Sequence, residues 1–284
     1  MFKEEKVFYT IKNDLVFKMV LEENKKALHK LSTVFIEDLK GDEYKPDEIK
    51  IISRSITNLE YMSSEMDVCF EIIDKYSFDL EMQREKTQYF LEDRILKYYS
   101  ELVSHSYPKG SEYIHNICHS LWFLDFNYFK DSKEAIHTYK IKDKEGSALA
   151  HSGSITIVEI KKLKNYNKDN NPWFELFYSD NYSSIKGDNV LEEVVNKVNE
   201  LNQDEAMRFR LQSQERFKTE YNAQMNGAYK NGKAEGMAEG KAEGKAEGRI
   251  EGKLETAKNL KSLGASNDLI SKATGLTIEE IKKL

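Results

Sequence analysis

The first chemical signal in this sequence is a pair of acidic side chains, Asp67 and Glu81, within the stretch Met66 to Arg84. In an extended strand alternate side chains share a face. Val68, Phe70 and Ile72 therefore point one way, and Asp67, Cys69 and Glu71 the other. Further on, Phe78, Leu80 and Met82 form an apolar side opposed to Asp79, Glu81 and Gln83. With the polar residues 74–77 as a turn, the two runs read as a hairpin that converges Asp67 and Glu81 on one face. Carboxylates held together repel unless a cation neutralises them. Oxygen donors with no nearby His or Cys favour Mg²⁺ or Mn²⁺ over zinc. Such sites typically serve phosphoryl transfer, where the metal activates water and stabilises charge on phosphate. The plainer reading of the same residues is a half-exposed strand with an acidic solvent face.

Several elements must position this pair. Apolar residues Phe17, Val20, Leu21, Leu28, Leu31, Phe35, Ile36 and Leu39 recur at helical spacing, as one amphipathic helix or two, with Asn13 or Asp14 as its cap. Residues 41–47 read as a turn, and Ile49, Ile51 and Ile56 as a first strand. Residues 89–103 read as a helix on the sheet, with Phe90, Arg94 and Tyr98 on one face, and Pro108-Lys109-Gly110 breaks the chain after it. Arg94 has two readings: a phosphate contact aided by Arg84 and Lys86, or a surface ion pair with Glu92 or Glu101. Residues 114–126 form a long strand, and its Trp122-Phe123-Leu124 run implies burial on both faces. Residues 155–160 form another, and Lys161, Lys162 and Lys164 after it read as a solvated strand end or a DNA path. His115 and His119 share a strand face but lack a third partner, which favours structural histidines over metal ligands. From Asn189 the pattern is helical, with a second run from Asp204 through Tyr221.

The ordered set Asn13-Asp14-Leu15-Val16-Phe17-Lys18, Asp67, Glu81-Met82-Gln83, Tyr89-Phe90 with Arg94-Ile95-Leu96 and Tyr98-Tyr99, then Tyr113-Ile114 with residues 121–126, resembles the PD-(D/E)XK nuclease family transposases, also called recombination-promoting nucleases. The resemblance covers roughly residues 8–225, and a glycine-repeat tail is usual in that family. It implies an α/β restriction-endonuclease-like core: a central mixed sheet of about four strands flanked by helices, plus a helical C-terminal extension. It further implies a metal-dependent DNA endonuclease that promotes recombination or accompanies mobile elements. Carried over by position, Asp67, Glu81 and the backbone carbonyl of Met82 would hold Mg²⁺ or Mn²⁺, and Gln83 stands where the wider superfamily has a lysine. A neutral amide positions water but supplies no positive charge to the transition state. Asp14 is an accessory candidate, and Lys18, Arg84, Lys86 and Arg94 are candidate DNA contacts. The alternative function is a catalytically weak DNA- or protein-binding module that works through an oligomerising tail.

Composition bounds these readings. The chain has 284 residues, 39% hydrophobic and 32% charged, with 16 Tyr, 14 Phe and 3 Pro, which describes a folded protein. Its charged N-terminus is unlike a signal peptide, and no apolar run is long enough for a bilayer. Cys69 and Cys118 give no disulfide framework, so a cytoplasmic protein that avoids membranes is expected. Residues 1–226 carry 32 basic and 40 acidic side chains, an adverse balance for DNA unless the basic residues cluster.

After a domain ending at 226, glycine recurs every four residues from Gly232 to Gly252, mostly as Lys-Ala-Glu-Gly. In a helix this period stacks Glu239 on Glu243 and Lys241 on Lys245. Each glycine adds about 0.5–1 kcal/mol against helix relative to alanine. Residues 227–256 therefore read as a transiently helical tether, with a neighbour-stabilised helix as the alternative. Residues 257–284 read as a short helical hairpin, helix-turn-helix-like, with a capping box at Thr277 and Glu280. Docking or self-association is its expected role as much as DNA readout.

Overall fold

The computed structural model describes residues 9–52, 55–56, 64–73, 75–85, 91–107, 116–149, 153–182 and 185–284. Lys86, Tyr89, Phe90, Pro108-Lys109-Gly110, Tyr113, Ile114 and His115 lie outside these residues. Backbone contacts divide the chain into two units, Met1–Leu211 and Gln212–Leu284.

The first unit opens with two helices, not one. Asn13 caps α1 (Asp14–Glu23), its side-chain oxygen accepting the Leu15 and Val16 amides. Asn24 ends α1 and caps α2 (Lys25–Phe35) through the Ala27 amide. The strands are β1 (Ile49–Ile52), β2 (Ser55–Ile56), β3 (Ser64–Glu65), β4 (Val68–Ile72) and β5 (Tyr76–Gln83), followed by helix α3 (Leu91–His105) and strand β6 (Ile117–Leu124). β7 (Ile136–Tyr139) and β8 (Ser154–Glu159) follow, and then the helices α4 (Ile160–Tyr166), α5 (Pro172–Tyr178) and α6 (Asn189–Gln203).

Six strands form one sheet in the order β1-β4-β5-β6-β8-β7. The β5–β6 and β6–β8 pairs are parallel, and the others antiparallel, so the sheet is mixed as expected but wider than four strands. Ile56 is not part of β1: it belongs to β2, which pairs with β3 in a separate two-stranded sheet. The β4–β5 turn is tighter than residues 74–77, because Tyr76 and Ser77 are already buried in β5.

The alternation read in the hairpin places its two faces correctly. Val68, Phe70, Phe78, Leu80 and Met82 join Leu121 and Phe123 under α1, α2, α5 and α6. Phe123 stacks on Phe177 with centroids 4.2 Å apart and meets Phe35 edge-on at 5.0 Å. On the other face Cys69, Trp122, Leu124 and Ile157 pack against Leu91, Ile95 and Tyr98 of α3. Both faces of β5 and β6 are thus covered, and every residue of β5 is buried. At Gly153, with φ +69°, a Cβ would lie 1.8 Å from the Cys118 carbonyl oxygen, so only glycine lets the chain enter β8 here.

In the second unit, helix α7 (Glu205–Ser262), which begins in the first unit, continues through the four-residue repeat. Residues 227–256 are therefore regular helix rather than the tether read from the sequence. Among these glycines an added Cβ meets nothing within 4 Å. The end of α7 packs Ala257 against Ile270 of α8 (Asn267–Thr274) and Ile281 of α9 (Ile278–Lys283). Gly275, at φ +74°, terminates α8 in the left-handed conformation. The Thr277–Glu280 capping box forms, with the Thr277 amide donating to Glu280 Oε2 at 2.7 Å. No helix among the described residues is long and apolar enough to cross a membrane.

Candidate active site

The hairpin register pairs Val68 with Leu80, which sets Asp67 level with Glu81 at the start of β4. Two hydrogen bonds fix the pair. The Asp67 amide donates to Glu81 Oε1 and the Met82 amide donates to Asp67 Oδ2, each at 2.8 Å. Each carboxylate thus gives one oxygen to the opposite strand's backbone, and among the described residues its second oxygen has no hydrogen-bond partner.

Electrostatics at the pair are unfavourable. Burial raises the Asp67 pKa to about 7, with Asp14 and Asp79 adding to the rise, against the Met82 amide and Arg94. Glu81, 3% exposed, is pushed well above its ordinary value by burial and by the charges of Asp67 and Asp79.

Asp79 is the residue that sequence reasoning left out of the site. It is fully buried two positions before Glu81 on the same strand face, and accepts the Ser120 hydroxyl at 3.0 Å. Trp122 Nε1 in turn donates to Ser120 Oγ at 2.8 Å. The alternating acids at 79 and 81 were the available signal. Asp14 stands at the first turn of α1, whose cap is Asn13, and Lys18 follows one helical turn later on the same face.

Gln83 is buried and tied at both ends of its amide. Its Oε1 accepts from Arg94 Nη2 at 2.6 Å, and its Nε2 donates to the Glu85 carbonyl at 2.6 Å. Arg94 thus partners Gln83, not Glu92 or Glu101. Its guanidinium lies over the Trp122 ring, 5.0 Å from the centroid, and 5.7 Å from that of Tyr98. Arg84 is exposed at the end of β5.

Other candidates take structural roles. His119 is buried beside Tyr76 and Phe78, its Nδ1 2.9 Å from Ser154 Oγ, and burial lowers its pKa to about 4. Lys161, Lys162 and Lys164 do not prolong a strand; they lie on α4, which starts at Ile160. Lys162 Nζ pairs with the fully buried Glu159 and donates to the Phe129 and Ser132 carbonyls at 2.7 and 2.8 Å. Glu159 also accepts the Tyr128 and Phe129 amides, so this cluster fastens residues 128–132 to the end of β8. A cavity of about 1290 Å³, lined by Lys40, Lys133, Asn165, Lys168 and Phe174 among others, lies elsewhere and includes none of the carboxylate pair.

The donor set suits a hard cation. Among the described residues no group of three or more His, Cys, Asp and Glu side chains is arranged to hold a metal. The protein's share would be two carboxylates and a carbonyl, which agrees with the way Mg²⁺ keeps several of its waters. A divalent ion would also offset the burial, and the lesser repulsion from neighbouring acids, that raise both pKa values.

A mixed sheet flanked by helices, with a carboxylate pair across its central hairpin, defines a restriction-endonuclease-like α/β protein. Residues 11–231 match the family described as PD-(D/E)XK nuclease family transposase, and the chain belongs to that family. No curated protein and no solved structure matches it.

Proposed function

We propose that this chain is a metal-dependent DNA endonuclease that hydrolyses phosphodiester bonds and serves recombination or mobile elements. The observation that carries the reading is the reciprocal bonding that holds Asp67 and Glu81 level, each with one oxygen left over. Mg²⁺ or Mn²⁺, held by Asp67, Glu81 and the Met82 carbonyl, would supply a Lewis acid and an activated water. The chain's own residues do the rest. Asp67 and Glu81 are fixed by backbone amides, so little reorganisation accompanies binding. Gln83 presents an amide beside them, suited to orient a water. Lys18, Arg84 and Lys86 are proposed contacts to the DNA backbone, and Asp14 a proposed accessory acid.

The test is cleavage of supercoiled plasmid in Mg²⁺ or Mn²⁺. The wild-type chain is expected to nick, and Asp67→Ala and Glu81→Ala to abolish nicking. Equal nicking by all three proteins, or plasmid binding without any metal-dependent cutting, would overturn the reading; the second result would leave the alternative, a binding module. We infer in addition that copies of the chain associate through the C-terminal helices. Phe217, Tyr221, Met225 and Tyr229, spaced four apart on α7, are all exposed, Phe217 at 71% and the others at about half, which supports a partner there.

A further inference from the structure

The Asp67–Glu81 pair feels the negative charge of Asp79, and Asp67 that of Asp14 as well, and the proposed reaction adds negative charge on the phosphate and attacking oxygen. A positive charge fixed beside them would be most useful where it needs no rearrangement. Arg94 is built in that way. It reaches across from α3, lies over Trp122, and spends one Nη2 hydrogen on Gln83. Its Nε is buried and among the described residues has no hydrogen-bond partner. A side chain recruited only for packing would bury its stem and leave the guanidinium in water. Here the head itself is drawn inward, onto a neutral amide.

The amide is what makes this contact consequential. One hydrogen of Gln83 Nε2 is taken by the Glu85 carbonyl, and among the described residues the other has no acceptor. A cation bonded to an amide oxygen withdraws electron density from its nitrogen, and hydrogen bonds in such a chain strengthen one another. The remaining N–H is thereby a stronger donor than that of an ordinary glutamine. Resting on the endonuclease reading above, we propose that Arg94 is a positioning residue that acts through Gln83: it orients the amide, sharpens its free N–H toward the attacking water or a phosphate oxygen, and sets a positive charge beside the Asp67–Glu81 pair. The same arginine is then neither a surface ion pair nor a DNA anchor.

A double-mutant cycle in the full-length protein tests this, using Arg94→Gln, Gln83→Leu and the pair, with plasmid nicking read as kcat and KM. Melting temperature reports folding, and fluorescence anisotropy of labelled duplex DNA in EDTA reports binding. Loss of a well-placed donor typically lowers kcat by about 10²–10³-fold. Each single variant is expected to lose kcat on that scale, with KM and the EDTA affinity within about twofold of wild type. The double variant is expected to be no worse than either single one, since both interrupt one chain of bonds. Unchanged kcat in Arg94→Gln would overturn the inference alone and leave the endonuclease reading intact. So would losses that multiply in the double variant, or a loss confined to KM and affinity, the mark of a DNA anchor. Where Arg94→Gln melts early, Arg94→Lys keeps the charge, and recovery of melting temperature without recovery of kcat would also overturn it. A folded wild-type chain that does not nick would overturn both readings together.

Discussion

Asp67 and Glu81 sit in surroundings that disfavour their charged forms, and that leaves a measurable trace. The Asp67 pKa rises from 3.8 to about 7, and Glu81 also rises, both mainly through burial. A carboxylate whose folded-state pKa is raised adds stability while it stays protonated, and this contribution is lost as pH climbs through the folded value. Without divalent metal the pair therefore destabilises the fold at pH 8 relative to pH 5. Asp67→Asn, assayed in EDTA, is expected to melt above wild type at pH 8, by an amount worth roughly 1–3 kcal/mol, and to differ little at pH 4. It is expected to have lost nicking altogether. Equal melting of variant and wild type at pH 8 would contradict this. Glu159 and Lys162 show the opposite logic, for there the buried charge has a partner. Lys162→Met removes the ammonium from the Glu159 carboxylate, leaving it the Tyr128 and Phe129 amides and His137 Nε2 at 3.4 Å, and is expected to cost at most about 3–5 kcal/mol in urea unfolding. Exposed Lys161→Ala is expected to stay within about 0.5 kcal/mol.

At the level of elements, the hairpin was the most legible part of the chain. Its two-residue alternation told which side chains of β4 and β5 face the helices, and the same alternation brought Asp67 to Glu81. The helical character of residues 15–39, though not its break at Asn24, the both-sided burial around Trp122 and the capping box at Thr277 were also readable, because each is a local pattern. What escaped depends on contacts between distant segments. The Arg94–Gln83 bond requires α3 to lie across β5 and β6, a placement no spacing within residues 89–103 reveals. Asp79 looked like one more polar strand residue until Ser120 and Trp122 closed over it. The lysines after residue 160 changed meaning because Glu159, last in β8, takes Lys162 as its counter-charge. Asn202 likewise joins α6 to Tyr9 by two hydrogen bonds of 2.8 Å, a link across 193 residues.

For the molecule as a whole, the division after Leu211 places every described site residue in the first unit and the repeat in the second. On the helix that carries the repeat, successive residues turn by about 100°. Lysine, alanine, glutamate and glycine thus occupy four separate files, and each small-residue file is flanked by glutamate on one side and lysine on the other. Two copies that meet along such a file match opposite charges when they run parallel and like charges when antiparallel. Gly232→Cys and Gly252→Cys, each introduced alone into the full chain, are therefore expected to form disulfide-linked dimers with themselves under mild oxidation. Crosslinks found only when the two variants are mixed would mean antiparallel pairing and contradict this.

A file that repeats every fourth residue has polarity without an address. Sliding one copy by a whole repeat exchanges most lysine–glutamate matches for identical ones, so little within the repeat beyond Met237, in the lysine file, and Ile250, in the alanine file, marks where two chains should begin. Alignment would have to come largely from its flanks, the apolar steps Phe217, Tyr221, Met225 and Tyr229 before it and the α8–α9 knot after it.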